Sequence, residues 1–240
     1  MPPVLLTGFE PFAGDGTNPS GDAVRAVGER WTGPARLVTE VLPVTFDGAI
    51  ARLAVLLDEH RPDIVVATGL AGGRTAVTPE RIAVNLADAR IPDNAGYRPQ
   101  DAAVVEGGPA AYFATLPVKA ISAALGAAGI PSTVSHSAGT FVCNATMYAA
   151  LHATAGTPTR AGFVHVPWAA GTGPVGASAD RGRRRDRRPR LPRHGRRHQR
   201  RRRRPVLTGE SDATGRPQRP NRSPRPGRSN PPRFSPNPAT

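Results

Sequence analysis

The chain has 240 residues and a formal net charge of +14 at pH 7, but residues 1–168 hold 11 of the 32 Lys and Arg and 14 of the 18 Asp and Glu, a net of −3, while residues 169–240 hold the other 21 and 4, a net of +17. The basic character therefore belongs to the tail alone, and the first 168 residues have the size and composition of one α/β domain, typically about 100–200 residues. A single cysteine excludes an intramolecular disulfide and a cysteine-based metal cluster, and no stretch approaches the ~18 apolar residues of a membrane span.

The N-terminus, MPPVLLTGFEPF, lacks a basic segment and a long apolar run, so no secretory signal is expected and a cytoplasmic protein with a reduced thiol is. VLLTG, Val4 to Gly8, reads as a short buried strand ending in a turn. NPSGDAVRAVGERW offers Asn18 or Ser20 as a helix cap, with Ala23, Val24 and Val27 on one face. ARLVTEVLPV is β-rich. FDGAIARLAVLLDEHRP has helical spacing through Ile50, Leu53, Leu56 and Leu57, closed by Pro62. DIVVATGL is a continuous apolar strand followed by the glycine-rich AGGR. RIAVNLADARIP is expected to be extended, and GPAAYFATLPVKAISAALGAAGI to be helical, with Pro117 either near its start or breaking it. STVSHSAG reads as a strand entering a turn, followed by a helix around Cys143 and then the strand AGFVHVP. Strands alternating with helices of this length imply crossover units and a mainly parallel sheet covered on both faces. In such sheets ligands bind beyond the carboxyl ends of the strands, where TGFEPF, GLAGGR, SHSAGTFVCN and VHVP all fall.

Cys143 has two readings. It is a small apolar residue of a core helix, or it stands at a helix N-terminus, where free N–H groups and the helix dipole favour a nucleophilic thiolate and provide donors for an oxyanion. Ser137, Gly139 and Thr140 supply a turn and cap for the second reading. His165, after the apolar GFV, is a satisfied core histidine or a general base for that thiol. His136 competes with it, whereas His60 and His152 are poorly placed: His152 is nine residues along the same helix, about 13 Å by helical rise. A third group has to orient the imidazole, with Glu80, Asp88 and Asp93 as candidates.

Five stretches carry a resemblance: LLTGFEPFAGDGTNPS, GLAGGR, PERIAVNLADARIPDNAGYRP, SAGTFVCNATMYAAL and AGFVHVP, in order through residues 4–167. They resemble the pyroglutamyl peptidase I family, cysteine exopeptidases that remove an N-terminal pyroglutamyl residue. The resemblance implies a single three-layer α/β/α sandwich with a mainly parallel twisted sheet (phosphorylase/hydrolase-like), no cofactor and no metal, a cytoplasmic setting and self-association. It implies Cys143 as nucleophile, His165 as base and Glu80 as orienting acid. Pyroglutamate is a neutral, flat lactam, so its pocket calls for apolar walls and a few amide-directed hydrogen bonds. Phe9 and Phe12 would flank the ring, Leu70 and Gly72 would lie beside it with Gly73, and Arg90 would organise the site or face the oxyanion.

The chain departs from the family pattern twice. Leu70 stands where the family commonly has Gln, which removes a polar group near the substrate. Beyond Trp168 the family's short turn and closing C-terminal helix give way to an Arg- and Pro-rich stretch with 12 prolines and Val175, Leu191, Val206, Leu207 and Phe234 as its large apolar residues. That composition predicts disorder and is what GC-rich codons yield out of frame. The expected organisation is thus a catalytic domain over 1–168, lacking the closing helix, and a frameshift-derived tail over 169–240. Two alternative functions follow: an inactive or unstable remnant of the enzyme, or sequence-blind binding of nucleic acid by the tail, the latter incidental because only Phe234 is available to stack on bases.

Overall fold

In the computed structural model of the chain, residues 3–169 are described. The expected disordered tail, its frameshift origin and its polyanion binding concern residues that, apart from Ala169, lie outside them. The elements run β1 (Val4–Phe9), α1 (Pro19–Arg30), β2 (Leu37–Leu42), α2 (Phe46–His60), β3 (Ile64–Leu70), β4 (Thr78–Pro79), β5 (Ile82–Val84), β6 (Ala111–Phe113), α3 (Val118–Ala127), α4 (Val142–Ala153) and β7 (Arg160–Val166).

Local chemistry explains most of these boundaries. Asn18 caps α1 by accepting the Ser20 N–H at 3.1 Å, with Pro19 at the first helical position, where a missing N–H costs nothing. Helix α2 ends at Arg61, whose left-handed backbone (φ 42°) returns its N–H to the Leu57 carbonyl. Its start is held from a distance: Asp93 accepts the Phe46 N–H at 3.0 Å.

The main sheet has the order β2-β1-β3-β7-β4, with all neighbours parallel except the short β4, which runs antiparallel to β7. This is the mainly parallel α/β architecture that the sequence implies. Successive strand residues point to opposite faces. One face carries Leu5, Phe9, Val65, Ala67 and Phe163, all buried, beneath α2 and α4. The other receives α1, which approaches so closely that a Cβ on Gly8 would stand 2.5 Å from the Ser20 carbonyl oxygen. Leu53, Leu56, Met147, Tyr148 and Leu151 complete the core; truncating such a leucine typically costs about 2–5 kcal/mol. Among the described residues no helix is long and apolar enough to cross a membrane.

Four local expectations are corrected. Ala23 and Val27 are exposed, and Val24 alone of that trio is buried. Ala111–Phe113 is a strand, not part of a helix, because it pairs antiparallel with β5, and the helix begins only after Pro117. STVSHSAG forms no strand; Ser132 and Ser135 make isolated bridges to Val77 and Glu80. The residue capping α4 is Phe141, without a side-chain hydrogen bond, since the Thr140 hydroxyl is turned away to donate to the Asp88 carbonyl at 2.7 Å.

Candidate active site

From β1 the chain passes through α1 to β2 on one side of it, and then through α2 to β3 on the other, so β1 and β3 meet at a switch point, the place where parallel sheets bind ligands beyond the carboxyl ends of their strands. There, against the end of β3, lies the first turn of α4. Cys143 is its second residue, half-buried, among first-turn N–H groups that have no partner within the helix. Its sulfur lies against the backbone of β3: a Cβ on Gly69 would stand 2.9 Å from Sγ and 2.7 Å from the Phe163 ring. No side chain larger than hydrogen fits there without displacing one of them.

His165 comes from β7, directly beside Gly69 in the parallel register. It is 5 % exposed, with its ring 4.8 Å from that of Phe163. Nδ1 donates to Oε1 of Glu80 at 2.7 Å, and Gly69, the neighbour of His165 in the register, is the residue on which the Cys143 sulfur packs. Burial alone would strip the imidazole of its charge, but the Coulombic and hydrogen-bond interactions with Cys143 and then with Glu80 outweigh it and push its pKa up to about 9.

Glu80 follows the two residues of β4 and is tied at its N–H to the Phe163 carbonyl at 2.8 Å. Its side chain is fully buried. Burial favours the neutral acid, yet hydrogen bonds from His165, Ser135 and Arg74 prevail and hold the carboxyl below its usual range. Oε1 takes both His165 and Arg74, while Oε2 accepts no hydrogen bond of good geometry, although the Ser135 hydroxyl stands near enough to help keep the group ionised.

The remaining candidates sort by position. His136 is exposed, His60 stands 3.9 Å from Glu59 and His152 bonds Tyr112. Asp88 is exposed, and Asp93 is committed to the N–H groups of Phe46, Ala95 and Tyr97. Phe12 is half-buried against Phe141, their rings 5.2 Å apart, and Phe141 in turn meets Phe46 at 5.3 Å. Phe9 lies deeper, 2 % exposed, with its ring 6.4 Å from Phe163. Leu70 ends β3 opposite Val166. Gly72 sits beneath the Trp168 indole, whose Nε1 would be 2.9 Å from a Cβ there, whereas Gly73 has open space around it. Arg90 is exposed, two residues beyond Asp88, whose N–H bonds the Thr140 carbonyl just ahead of α4.

Two residues escaped the sequence reading. Phe141 immediately precedes the helix and joins the aromatic group; its signal was an aromatic two positions before the cysteine. Arg74 closes AGGR and reaches Glu80; its signal was a cation directly after paired glycines.

Comparison with known proteins places this arrangement. The family model described as pyroglutamyl peptidase matches residues 3–172. The chain is 53% identical over 167 residues to a pyrrolidone-carboxylate peptidase of Thermococcus onnurineus, covering 69% of this chain and 83% of the relative. It is 54% identical over 168 residues to one of Chromobacterium violaceum, covering 70% and 79%. Among solved structures, pyroglutamyl peptidase I of Bacillus amyloliquefaciens superposes with a TM-score of 0.66 at 45% identity, covering 70% and 82% of the two chains. The pyrrolidone carboxyl peptidase of Thermococcus litoralis does so with a TM-score of 0.69 at 46% identity, covering 72% and 79%. The fold and these likenesses together show that the chain belongs to the pyroglutamyl peptidase family.

Proposed function

We propose that residues 1–168 form a cysteine exopeptidase unit that releases an N-terminal pyroglutamyl residue from peptides through Cys143, His165 and Glu80. In this reading the Cys143 sulfur attacks the carbonyl carbon joining pyroglutamate to the next residue. The first-turn N–H groups of α4 face the developing oxyanion. His165, protonated at Nε2, gives that proton to the departing amine as the carbon–nitrogen bond breaks, leaving a thioester. Water then attacks the thioester while His165 takes its proton, and pyroglutamate leaves as the thiol is restored. Glu80 keeps the imidazole in one orientation and balances its charge. Phe12 and Phe141 give the lactam apolar walls, with Leu70 at the end of β3 and Gly72 and Arg90 on the loops around it.

The observation that carries the reading is the convergence of Cys143, packed on Gly69 of β3, with the neighbouring His165 of β7, whose Nδ1 meets the buried Glu80 carboxylate; interactions with Cys143 first and Glu80 second favour a charged imidazole. The experiment is turnover of a pyroglutamyl anilide by the full chain. Cys143→Ala is expected to lower kcat about 10⁴-fold or more. A variant as active as the parent overturns the reading.

A further inference from the structure

We propose that Arg74 is a positioning residue of this centre, a single guanidinium that holds the Glu80 carboxylate against His165 and ties that acid to the turn leading into the Cys143 helix. The proposal rests on the triad reading above. Nη1 of Arg74 donates to Oε1 of Glu80, the same oxygen that receives His165, and also to the Thr78 hydroxyl. Nη2 donates to the Ser137 carbonyl at 3.3 Å, six residues ahead of the nucleophile. The loop that carries Arg74 is itself braced: its N–H bonds the Ala71 carbonyl at 2.8 Å, and the Ala71 N–H bonds Val166, next to His165, at 2.9 Å.

The physical need is charge balance. A carboxylate with a fully buried side chain is costly unless cations and donors surround it. His165 supplies positive charge only while protonated, and in turnover it surrenders its proton to the leaving amine. At that moment Arg74, which cannot be deprotonated, remains as the fixed positive charge on Oε1. A guanidinium also reaches Glu80 and Ser137 from two separate nitrogens in a fixed fork, whereas the three N–H donors of an ammonium all leave one nitrogen. Ser137 and Glu80 come from different loops, so the contact sets the acid and the thiol helix relative to each other.

The test compares Arg74→Met and Arg74→Lys with the parent, all as the full 240-residue chain. For Arg74→Met, kcat should fall about ten- to a hundredfold, the size expected when a hydrogen bond to a charged group is lost, with KM nearly unchanged. The acid limb of the kcat profile should move to higher pH, because Glu80 then protonates more readily. Arg74→Lys should restore the acid limb by returning the charge, yet recover only part of kcat because one ammonium cannot span both acceptors. The low-field proton resonance of the His165 Nδ1–H should shift in Arg74→Met and not in Arg74→Lys. Unchanged kcat and acid limb in Arg74→Met overturn the proposal, as does a fall in kcat with the limb and the resonance both unmoved. Should Arg74→Met not fold, the lysine variant decides: its proton resonance must match the parent and its kcat must fall below it. A parent without thiol-dependent turnover would sink the triad reading instead, and the His165 resonance would still decide the Arg74 contact.

Discussion

Two histidines stand at opposite ends of helix α4, each with Nδ1 in a short hydrogen bond. At the start, His165 meets the Glu80 carboxylate at 2.7 Å; in the last turn, His152 meets the Tyr112 hydroxyl at 2.9 Å. The distances barely differ, but the surroundings do. His165 is buried between an aromatic ring, a thiol and an acid. His152 is exposed, stacked on Tyr148 with ring centroids 6.1 Å apart and edge-on to Tyr112, where the last turn of α4 meets β6. A hydrogen bond orients a ring in both cases. In the proposed reading, burial next to an ionised partner is what fits His165 to carry a proton, because its neighbours strongly favour charge on that imidazole.

Giving His165 a neutral partner like that of His152 should erase the contrast. Glu80→Gln preserves shape and is expected to lower kcat about 10²–10⁴-fold, the range carried by positioned acid–base groups, as measured with the anilide substrate. It should also move the alkaline limb of the profile to lower pH, since the imidazolium loses its counter-charge. A smaller effect concerns stability. The pKa of His165 is raised from 6.5 to about 9 by folding, so the folded chain holds a proton that the unfolded chain has released across that interval. Its stabilisation is complete below about pH 6.5 and fades as pH rises through 9. Glu80 works in the opposite sense: held below its ordinary 4.5, it stabilises above that value and loses its contribution as pH falls. Thermal unfolding midpoints should therefore decline by several degrees from pH 6.5 to 9, and by much less in His165→Gln. Smallest of all, Tyr112→Phe should cost about 0.5–1.5 kcal/mol in urea unfolding, the worth of one ordinary hydrogen bond, and leave turnover untouched. A large loss of activity there would mean that the two ends of α4 are coupled.

Much of the fold was legible because local and tertiary preferences agree. The continuous apolar run of β3 and the leucine spacing of α2 each have one sensible reading, and the structure has those elements; of the two caps offered for α1, Asn18 and Ser20, it uses Asn18. Agreement fails in the middle of the chain. Ala111–Phe113 lies in an alanine-rich stretch that favours helix locally, and pairing with β5 overrides it. Ser132 to Ser135 is β-branched and polar, but finds only single bridges to Val77 and Glu80. The site was legible by likeness rather than by spacing. Nothing in the interval of 85 residues between Glu80 and His165 announces a contact; it arises because β4 folds back antiparallel on β7 and sets Thr78 across from His165. Arg74 was illegible for the same reason, since a loop cation names no partner until the loop is placed.

Gly69 bears on how accurately such a centre can be built. With only hydrogen projecting from that position, the Cys143 sulfur, the nucleophile of the proposed reading, rests on the main chain of a central strand. Reagent spacing is thereby inherited from the separation between sheet and helix, among the stiffest dimensions of a layered domain, and owes little to the torsional choices of an intervening residue. If Cys143 is the nucleophile proposed above, preserving that separation and preserving its reactivity become a single requirement.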